Sequence, residues 1–466
     1  MFVEGTYGYS FNEIANLYVS PLSNRANAGL ADLPMLFPQA GLVDPNYNAA
    51  RVFGAAESPF YADGKVMYPP NFTWGNRIAN SPPNLGAQLA NINPSHDASF
   101  SITKLAGRHT LKAGAYWNHA YKAQQLGTAG ATPFQGALSF ANDTQNPLDS
   151  GFGYANAALG ILSSYAQQSV VVEGGYIYNN VDWYLQDNWK VNNKLTLDYG
   201  MRFVYMQPTY DTRVQASTFF LDRWQGAQAP LLYMTGCVGA SPCSGTNRQA
   251  LNPRTGQLLG PTSAVLIGQI VPNSGDLMNG IVRAGDGISK YNYTWPTVVA
   301  APRFGLAYDI SGTQRTVLRG GIGLFHDRPA GDTMYSQVGN PGFSTSRTVR
   351  YAQLQQLASG LEILGPPQLT SVWPYEADIP SSTQWNAGIQ MTLPWASTVD
   401  VSYVGQRGFN QLREIRGQTQ VDINAVDFGA AFLSQNQDPT LAVCSTPGAS
   451  AYSTDILRPY RGLGQV

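Results

Sequence analysis

The fold class is decided by one stretch, Asn193-Lys-Leu-Thr-Leu-Asp-Tyr-Gly-Met-Arg-Phe-Val-Tyr-Met206. Large apolar side chains occupy every second position from Leu195 to Tyr205, and Asp198 and Arg202 fall between them. Because side chains alternate between the two faces of a strand, this pattern predicts a strand with one apolar and one polar face. A strand that crosses a bilayer needs roughly 9–11 residues, apolar towards lipid and polar towards the lumen. The stretch therefore predicts an all-β fold, a transmembrane antiparallel β-barrel.

The composition agrees with a barrel. Only 12% of the 466 residues are charged, about half the share of a typical soluble domain. Aromatic residues also make up 12%, with 26 Tyr and 9 Trp, as expected for the aromatic girdles of a barrel. No apolar run approaches the roughly 18 residues of a spanning helix. The net charge of -1 gives no electrostatic argument for nucleic acid as a partner.

Four hairpins share the same alternating design. Each consists of two long strands joined by a turn of a few residues, for example Ala106-Gly107-Arg108 or Ser311-Gly312-Thr313. The predicted strand pairs are 98–105 with 109–122, 176–189 with 193–206, 298–310 with 315–326, and 383–393 with 398–405.

Long segments rich in Gly, Asn, Pro, Ser and Gln separate the hairpins, at about 123–175, 207–297, 327–381 and 408–456. We expect them to be irregular. Short periplasmic turns and long extracellular loops are typical of outer-membrane barrels, so strands that enter the short turns should run towards the periplasm. Phe2–Ser10 is predicted as an ascending strand, followed by an external loop over 17–93.

The cysteines suggest one disulfide. Cys237 and Cys243 flank a segment containing Gly, Ser and Pro, and Cys444 lies far downstream. A small disulfide loop on an outward-facing segment would imply an oxidising compartment, and two unlinked thiols in a flexible loop are the alternative. The spacing does not suit a four-ligand zinc site.

No catalytic constellation is present in the sequence. The four histidines lack the metalloprotease spacing, and neither a nucleophile elbow nor a phosphate loop occurs. Asp182, Asp187 and Glu173 could suggest a glycosidase pair, but a sequence does not give the distance between carboxylates that this chemistry requires. We expect them to be lumen or rim residues. The chain is therefore predicted to be neither an enzyme nor a binder of a metal or cofactor.

The termini lack two features of a complete exported barrel. The first residues, Met1-Phe-Val-Glu-Gly5, contain neither a basic region nor an apolar region of a signal peptide. The last residues follow Arg458-Pro-Tyr-Arg-Gly-Leu-Gly464, where we expect a further strand to begin. We expect the chain to be a piece of a longer protein.

In order and spacing, the strand motifs resemble the barrel of TonB-dependent outer-membrane receptors, specifically the Oar-like group common in Acidobacteria. The resemblance covers roughly residues 96–466. The strings that carry it are Tyr184-Leu-Gln-Asp-Asn-Trp-Lys190, Leu195-Thr-Leu-Asp-Tyr-Gly-Met-Arg202, Pro302-Arg-Phe-Gly-Leu-Ala-Tyr308, Leu318-Arg-Gly-Gly-Ile-Gly-Leu-Phe325, Gln384-Trp-Asn-Ala-Gly-Ile-Gln390, Ser402-Tyr-Val-Gly-Gln-Arg-Gly408 and Arg458-Pro-Tyr460.

The resemblance implies a barrel of about 22 strands with a plugged lumen. The chain would supply about nine or ten of these strands. On this reading all of 1–466 is one partial barrel domain. The plug, the N-terminal regulatory-like domain, the TonB box and the C-terminal strands that such receptors carry are not found in it.

A set of charged residues falls on the polar face of the predicted strands. We expect them to pair across strands and keep charge out of lipid, where a midplane Arg or Lys costs about 2–4 kcal/mol. The resemblance adds a second role, which is to dock the plug through salt bridges. These residues are Lys112, Asp198, Arg202, Arg303, Asp309, Arg315 and Arg319.

The predicted function is that of an outer-membrane receptor segment in energy-coupled uptake of a solute that the sequence does not identify. Its expected partners are outer-membrane lipid, its own plug, the TonB complex and the solute. Two alternatives stay open: a secreted all-β module that binds or cleaves polysaccharide, and a passive or adhesive surface barrel. A propeller-type module should repeat every 40–50 residues or so, and the spacing of strands here does not.

Overall fold

The computed structural model describes most of the chain. The residues that it does not describe are 17–23, 38–60, 63–64, 67, 76–88, 127, 130–131, 170–171, 330, 370, 396, 412–421, 444–445 and 447. Cys444 and part of the predicted first external loop therefore lie outside the described residues.

Nine long strands form one antiparallel sheet in which each strand pairs with its neighbours in this order. The four predicted hairpins and the first strand are confirmed, with strand ends shifted by a few residues. The strands are β1 (Phe2–Ser10), β2 (Ser95–Ala106), β3 (His109–Leu126), β4 (Val172–Lys190), β5 (Leu195–Met206), β6 (Val298–Asp309), β7 (Thr316–His326), β8 (Ser381–Leu393) and β9 (Ser397–Phe409). Within the described residues, β1 and β9 are the two edges of this sheet, so the sheet is the open wall of a partial barrel.

The register of the strands places apolar side chains together on one face. Trp183 pairs with Phe203 and Leu185 with Met201, and all four side chains are exposed. Exposed apolar side chains continue across the sheet to Tyr403 on β9. We call this the outer face and the opposite, polar side the inner face. The separation is the direct result of the two-residue period.

The short turns all lie at one end of the sheet. β2 and β3 are joined by Gly107 and Arg108, with Gly107 at φ 61, where a side chain would be disfavoured. In the turn between β6 and β7 the carboxylate of Asp309 accepts hydrogen bonds from the backbone N–H groups of Gly312 and Gln314, at 2.9 and 2.8 Å. These local bonds hold the strands in register at this end.

The other end of the sheet carries five loops. We name them L1 (11–94), L2 (127–171), L3 (207–297), L4 (327–380) and L5 (410–466). Their irregularity was predicted wrongly, since L1, L2 and L4 together build a five-stranded sheet. Its strands, in spatial order, are Leu361–Ile363, Ser346–Arg350, Ser164–Gln168, Ala137–Ser139 and Asn71–Thr73. Segments of three to five residues are too short to show periodicity, which is why the sequence did not predict them.

The described loops contain further short elements. Three small strands pair with the main sheet at Glu13–Asn16, Leu89–Ile92 and Tyr210–Asp211; the remaining strand pairs are Tyr61–Ala62 with Lys65–Val66, Thr128–Ala129 with Thr132–Pro133, Ser217–Phe219 with Ile281–Arg283, and Met234–Cys237 with Arg248–Leu251. The α-helices are Gly153–Leu159, Asp332–Ser336 and Thr454–Leu457; the 3-10 turns are Leu221–Arg223, Gly226–Gln228, Gly245–Asn247, Ser263–Leu266, Gln337–Gly339, Leu357–Ser359, Ala430–Phe432 and Ser434–Asn436. None of the described helices has the length and apolar character needed to cross a membrane.

The buried apolar cores lie in the loops rather than in the middle of the sheet. One core joins L1, L2 and L4 around the fully buried Leu162 and Tyr165. A second joins L3, L4 and L5 through Phe219, Leu369 and Leu463. The loops therefore form one packed cap, because apolar side chains far apart in the chain leave water together.

Candidate functional site

A cavity opens on the inner face below the loop cap. Its volume is about 180 Å³, below the 300–1,000 Å³ or so of drug-sized ligand sites. Strands β3 to β7 supply its walls. The lining residues are Tyr116, Asn180, Asp182, Arg202, Val204, Met206, Ala301, Arg303, Phe325 and His326.

An ion pair between adjacent strands forms one wall. The Nε of Arg202 on β5 lies 3.2 Å from Oδ2 of Asp182 on β4. Both side chains are largely buried, with exposed fractions of 31% and 13%. The guanidinium also lies over the ring of Tyr184, 5.9 Å from its centroid. The sequence placed Arg202 on the polar face and Asp182 in the lumen or at the rim, but it did not show that the two residues pair.

A second acidic group lies behind Tyr116. The Tyr116 hydroxyl donates a hydrogen bond to Oδ1 of Asp97, and the Asn118 side chain donates to the same oxygen at 3.0 Å. Asp97 is thus held by neighbours on β2 and β3 and is not among the residues that line the cavity.

Arg303 on β6 is the second cation of the cavity. Its guanidinium lies over the ring of Phe325, 4.6 Å from the centroid. Among the described residues, no carboxylate lies within ion-pair distance of it. Its register partners on the neighbouring strands are Gly200 and Gly323, so neither flank carries a side chain that covers it.

The roof of the cavity belongs to the loop cap. Val204 and Met206 at the end of β5 pack against Tyr293, Trp295 and other residues of L3 and L4. The indole Nε1 of Trp295 donates to the Met206 carbonyl at 2.9 Å. Burial raises the pKa of the Tyr293 hydroxyl well above its ordinary value, which keeps this group neutral.

Arg328 of L4 ties the roof to the sheet. It donates to Thr209 Oγ1 at 3.0 Å and to Oδ1 of Asn180. Its guanidinium lies 4.0 Å from the centroid of the Tyr178 ring. Burial lowers its pKa from the ordinary value, but an arginine stays protonated in proteins. A buried cation is thus held by neutral oxygens and aromatic rings.

The other charged residues predicted on the inner face lie outside the cavity. Lys112 is 3.9 Å from Glu4, and Asp198 accepts a hydrogen bond from Gln186 at 2.9 Å. The remaining three are at the short-turn end: Asp309 caps its turn, Arg315 precedes β7 and lies in the turn rather than in the strand, and Arg319 is exposed.

Asp187 is a correction to the expectation of a lumen or rim position. It shares the outer face with Trp183 and Leu185, because all three are odd-numbered positions of β4. His109 Nδ1 lies 2.6 Å from its Oδ2, and the Tyr199 hydroxyl donates to the same oxygen at 2.9 Å. The alternation of the strand was enough to place it, but the residue type suggested the other face.

The two cysteines of L3 are joined by a disulfide bond, with their Cα atoms 5.9 Å apart. The hairpin that carries them contacts L5, since the Cys243 N–H donates to the Thr440 carbonyl at 2.9 Å. Next to it, Asp438 accepts hydrogen bonds from Arg248 and Thr235, each at 2.8 Å. The disulfide thus lies where L3 and L5 meet.

The pKa of Asp438 reflects this setting. Burial acts to raise it, but hydrogen bonds from Thr440 and Arg248 outweigh burial and hold the pKa below its ordinary value. The carboxylate is therefore the stable form at the contact between L3 and L5.

The arrangement combines a concave surface with a few convergent polar groups, as ligand-binding sites do. No group of three or more candidate metal ligands comes together within the part of the chain that the structure describes. Sequence reasoning missed the cavity residues Tyr116, Asn180, Phe325 and His326. Strand alternation places Tyr116, Asn180 and Phe325 on the inner face, but it does not place His326 there, because His326 directly follows Phe325 at the end of the strand. Nothing in the sequence showed which strands would lie below the roof.

Comparisons with known proteins agree with this architecture. A family model described as an outer membrane beta barrel domain matches residues 20–466. No curated protein matches the chain.

Two solved structures are similar to part of it. The outer membrane transporter YddB from Escherichia coli has a TM-score of 0.33 and 10% identity over 68% of this chain and 26% of its own. The ferric-catecholate import receptor Fiu from Escherichia coli K12 has a TM-score of 0.29 and 11% identity over 72% of this chain and 33% of its own. The chain thus spans a quarter to a third of these proteins.

Proposed function

The chain belongs to the outer membrane beta barrel domain family, and on that premise we propose that it is part of an energy-coupled transporter. In this proposal it supplies wall strands and external loops of a TonB-dependent receptor through which a solute enters the cell. The outer-membrane location follows from the family. The uptake role and its coupling to TonB are the proposal.

The observation that carries the proposal is the position of the cavity. It lies on the polar inner face, directly below the packed loops, and its walls hold Asp182, Arg202 and Arg303. A solute captured by the loops would meet these side chains next. Ligand sites typically combine a concave surface with a few convergent polar groups, and this cavity is built in that way.

The strand motifs support the finer assignment. Their order resembles that of Oar-like receptors, from Tyr184-Leu-Gln-Asp-Asn-Trp-Lys190 to Arg458-Pro-Tyr460. We extend the proposal to the parts that such receptors contain, which are a plug in the lumen and a TonB partner in the periplasm. In this proposal residues 1–466 form one partial barrel domain, and the strands that complete the barrel pair with β1 and β9. The protein performs no chemical step on the solute.

A genetic test separates energy-coupled uptake from a passive or adhesive role. Strains of the native host lacking this gene, lacking tonB, or lacking both are compared for growth on a panel of peptides and oligosaccharides as limiting nutrients. We expect the single mutants to share a growth defect on at least one nutrient, and the double mutant to be no worse than either. A defect of the gene deletion that adds to that of the tonB deletion would overturn energy coupling and favour the passive barrel.

A further inference from the structure

We infer that the inner-face cavity binds an anionic group, a carboxylate or a phosphate, with Arg303 as its main donor. This inference deepens the proposed function and rests on it, because it names the chemistry that the cavity would recognise. It starts from the charges of the lining residues.

The side chains that line the cavity carry more positive than negative charge. Its lining includes two guanidinium groups, Arg202 and Arg303, and one carboxylate, Asp182. The carboxylate is bound to Arg202 at 3.2 Å, so Arg303 is the uncompensated charge. Asp97 is not among the residues that line the cavity, and its Oδ1 accepts hydrogen bonds from Tyr116 and Asn118 rather than from Arg303.

The two arginines are neighbours on the inner face. Arg202 pairs with Ala301 and Gly200 with Arg303 across β5 and β6, so the two arginines are diagonal neighbours, whose Cα atoms are about 7–8 Å apart in an antiparallel pair. Like charges on neighbouring side chains repel each other, and an anion between them would replace repulsion with attraction.

The access to Arg303 is open. The flanking register positions Gly200 and Gly323 carry no side chains. A Cβ at position 323 would lie 3.4 Å from Arg303 Cγ and 3.0 Å from the Phe325 ring, and so would crowd this arginine. Below the guanidinium the Phe325 ring gives support without neutralising the charge. The planar guanidinium can therefore present paired N–H donors to a carboxylate or phosphate.

Arginine labelling of the full chain in its membrane tests the inference without any requirement for transport. The protein is treated with phenylglyoxal, and modified arginines are mapped by mass spectrometry, with millimolar inorganic phosphate, with succinate, or with chloride at equal ionic strength. We expect phosphate and succinate to slow the modification of Arg303 by about tenfold at about ten times their dissociation constant, because only the unoccupied site reacts. Arg319 serves as the matched control, because it is also an inner-face arginine between small residues, Ala307 and Gly388, and its rate should not change.

The same labelling identifies the source of the anion. Slow modification of Arg303 that is lost on washing and restored by added phosphate or succinate indicates a dissolved solute. Slow modification that persists after washing, and persists in Asp182→Asn, indicates a carboxylate from another part of the polypeptide in the lumen.

Two results would overturn the inference. One is equal protection of Arg303 and Arg319, or modification of Arg303 that is fast in anion-free buffer and is slowed by neither anion. The other is slow modification in anion-free buffer that becomes fast in Asp182→Asn, because the cavity would then be closed by its own carboxylate. Protection of Arg303 together with a failed tonB test would leave the anion site in place and reject only the uptake role.

Discussion

His109 on β3 and Asp187 on β4 form a 2.6 Å contact between Nδ1 and Oδ2 on the outer face of the sheet. Trp189 stacks on the histidine ring at a centroid distance of 5.4 Å, and Asp187 is only 7% exposed. An acidic side chain thus lies on the largely apolar face, where its histidine and tyrosine neighbours shield it from lipid.

This contact predicts an unusual pattern in a double mutant. His109→Phe removes a partner and leaves the carboxylate with Tyr199 alone, which should lower the temperature at which the folded protein unfolds in SDS gels. His109→Phe combined with Asp187→Leu should restore much of that loss, because an unpaired charge is more costly than an apolar pair. The unfolding temperature is read from heat-modified migration. If the double variant is less stable than the single one, the pair stabilises the wall in its own right.

The two faces of β4 predict opposite responses to a new arginine. Leu185→Arg should block assembly, since its side chain points into lipid, at a cost of about 2–4 kcal/mol near the bilayer midplane. Gln186→Arg is the matched control, because Gln186 is the next residue along the strand and points to the inner face. There Asp198 lies 2.9 Å from the Gln186 amide and can accept a hydrogen bond from the new guanidinium. Yields of heat-modifiable protein in outer-membrane fractions measure the difference. Equal yields would show that the outer face is not lipid-exposed.

The disulfide predicts the sidedness of L3. A membrane-impermeant thiol reagent applied to intact cells should label Cys237 and Cys243 only after mild reduction, because we expect the loops to lie on the external side. A variant with both cysteines replaced by serine gives the background level of labelling. Labelling that appears only in lysed cells would invert the orientation of the sheet.

The contact between L3 and L5 should weaken in acid. The folded pKa of Asp438 is below its ordinary value, so its contribution to stability is complete above the unfolded pKa, about 3.9, and is lost as the pH falls towards the lowered value. The protection of the backbone around residues 438–440, which is the hydrogen-exchange rate corrected for its intrinsic pH dependence, should therefore fall below about pH 4. In Asp438→Asn this pH dependence should disappear, while Asp427→Asn, an exposed neighbour in L5, should keep it. An unchanged acid response in Asp438→Asn would place the sensitive group elsewhere.

Much of the main sheet could be predicted from the sequence. The alternation of Leu195 to Tyr205 fixed the faces of β5, and turn residues such as Gly107 fixed the ends of the hairpins. Asp187 was equally readable from its position in β4, although its charge led to the wrong expectation. These features are local, because a strand's faces and a tight turn depend on neighbours within a few residues.

The sequence by itself thus determined the antiparallel wall, its apolar and polar faces, and the end at which the short turns lie. Only the tertiary structure decided that Asn71–Thr73 pairs with Ala137–Ser139, that Arg328 ties L4 to β4, and that the carboxylate in the cavity of Arg303 pairs with Arg202 instead. Such contacts join segments tens to hundreds of residues apart. These contacts depend on which apolar loop surfaces pack against each other and exclude water. The periodicity within a single segment does not predict that pairing.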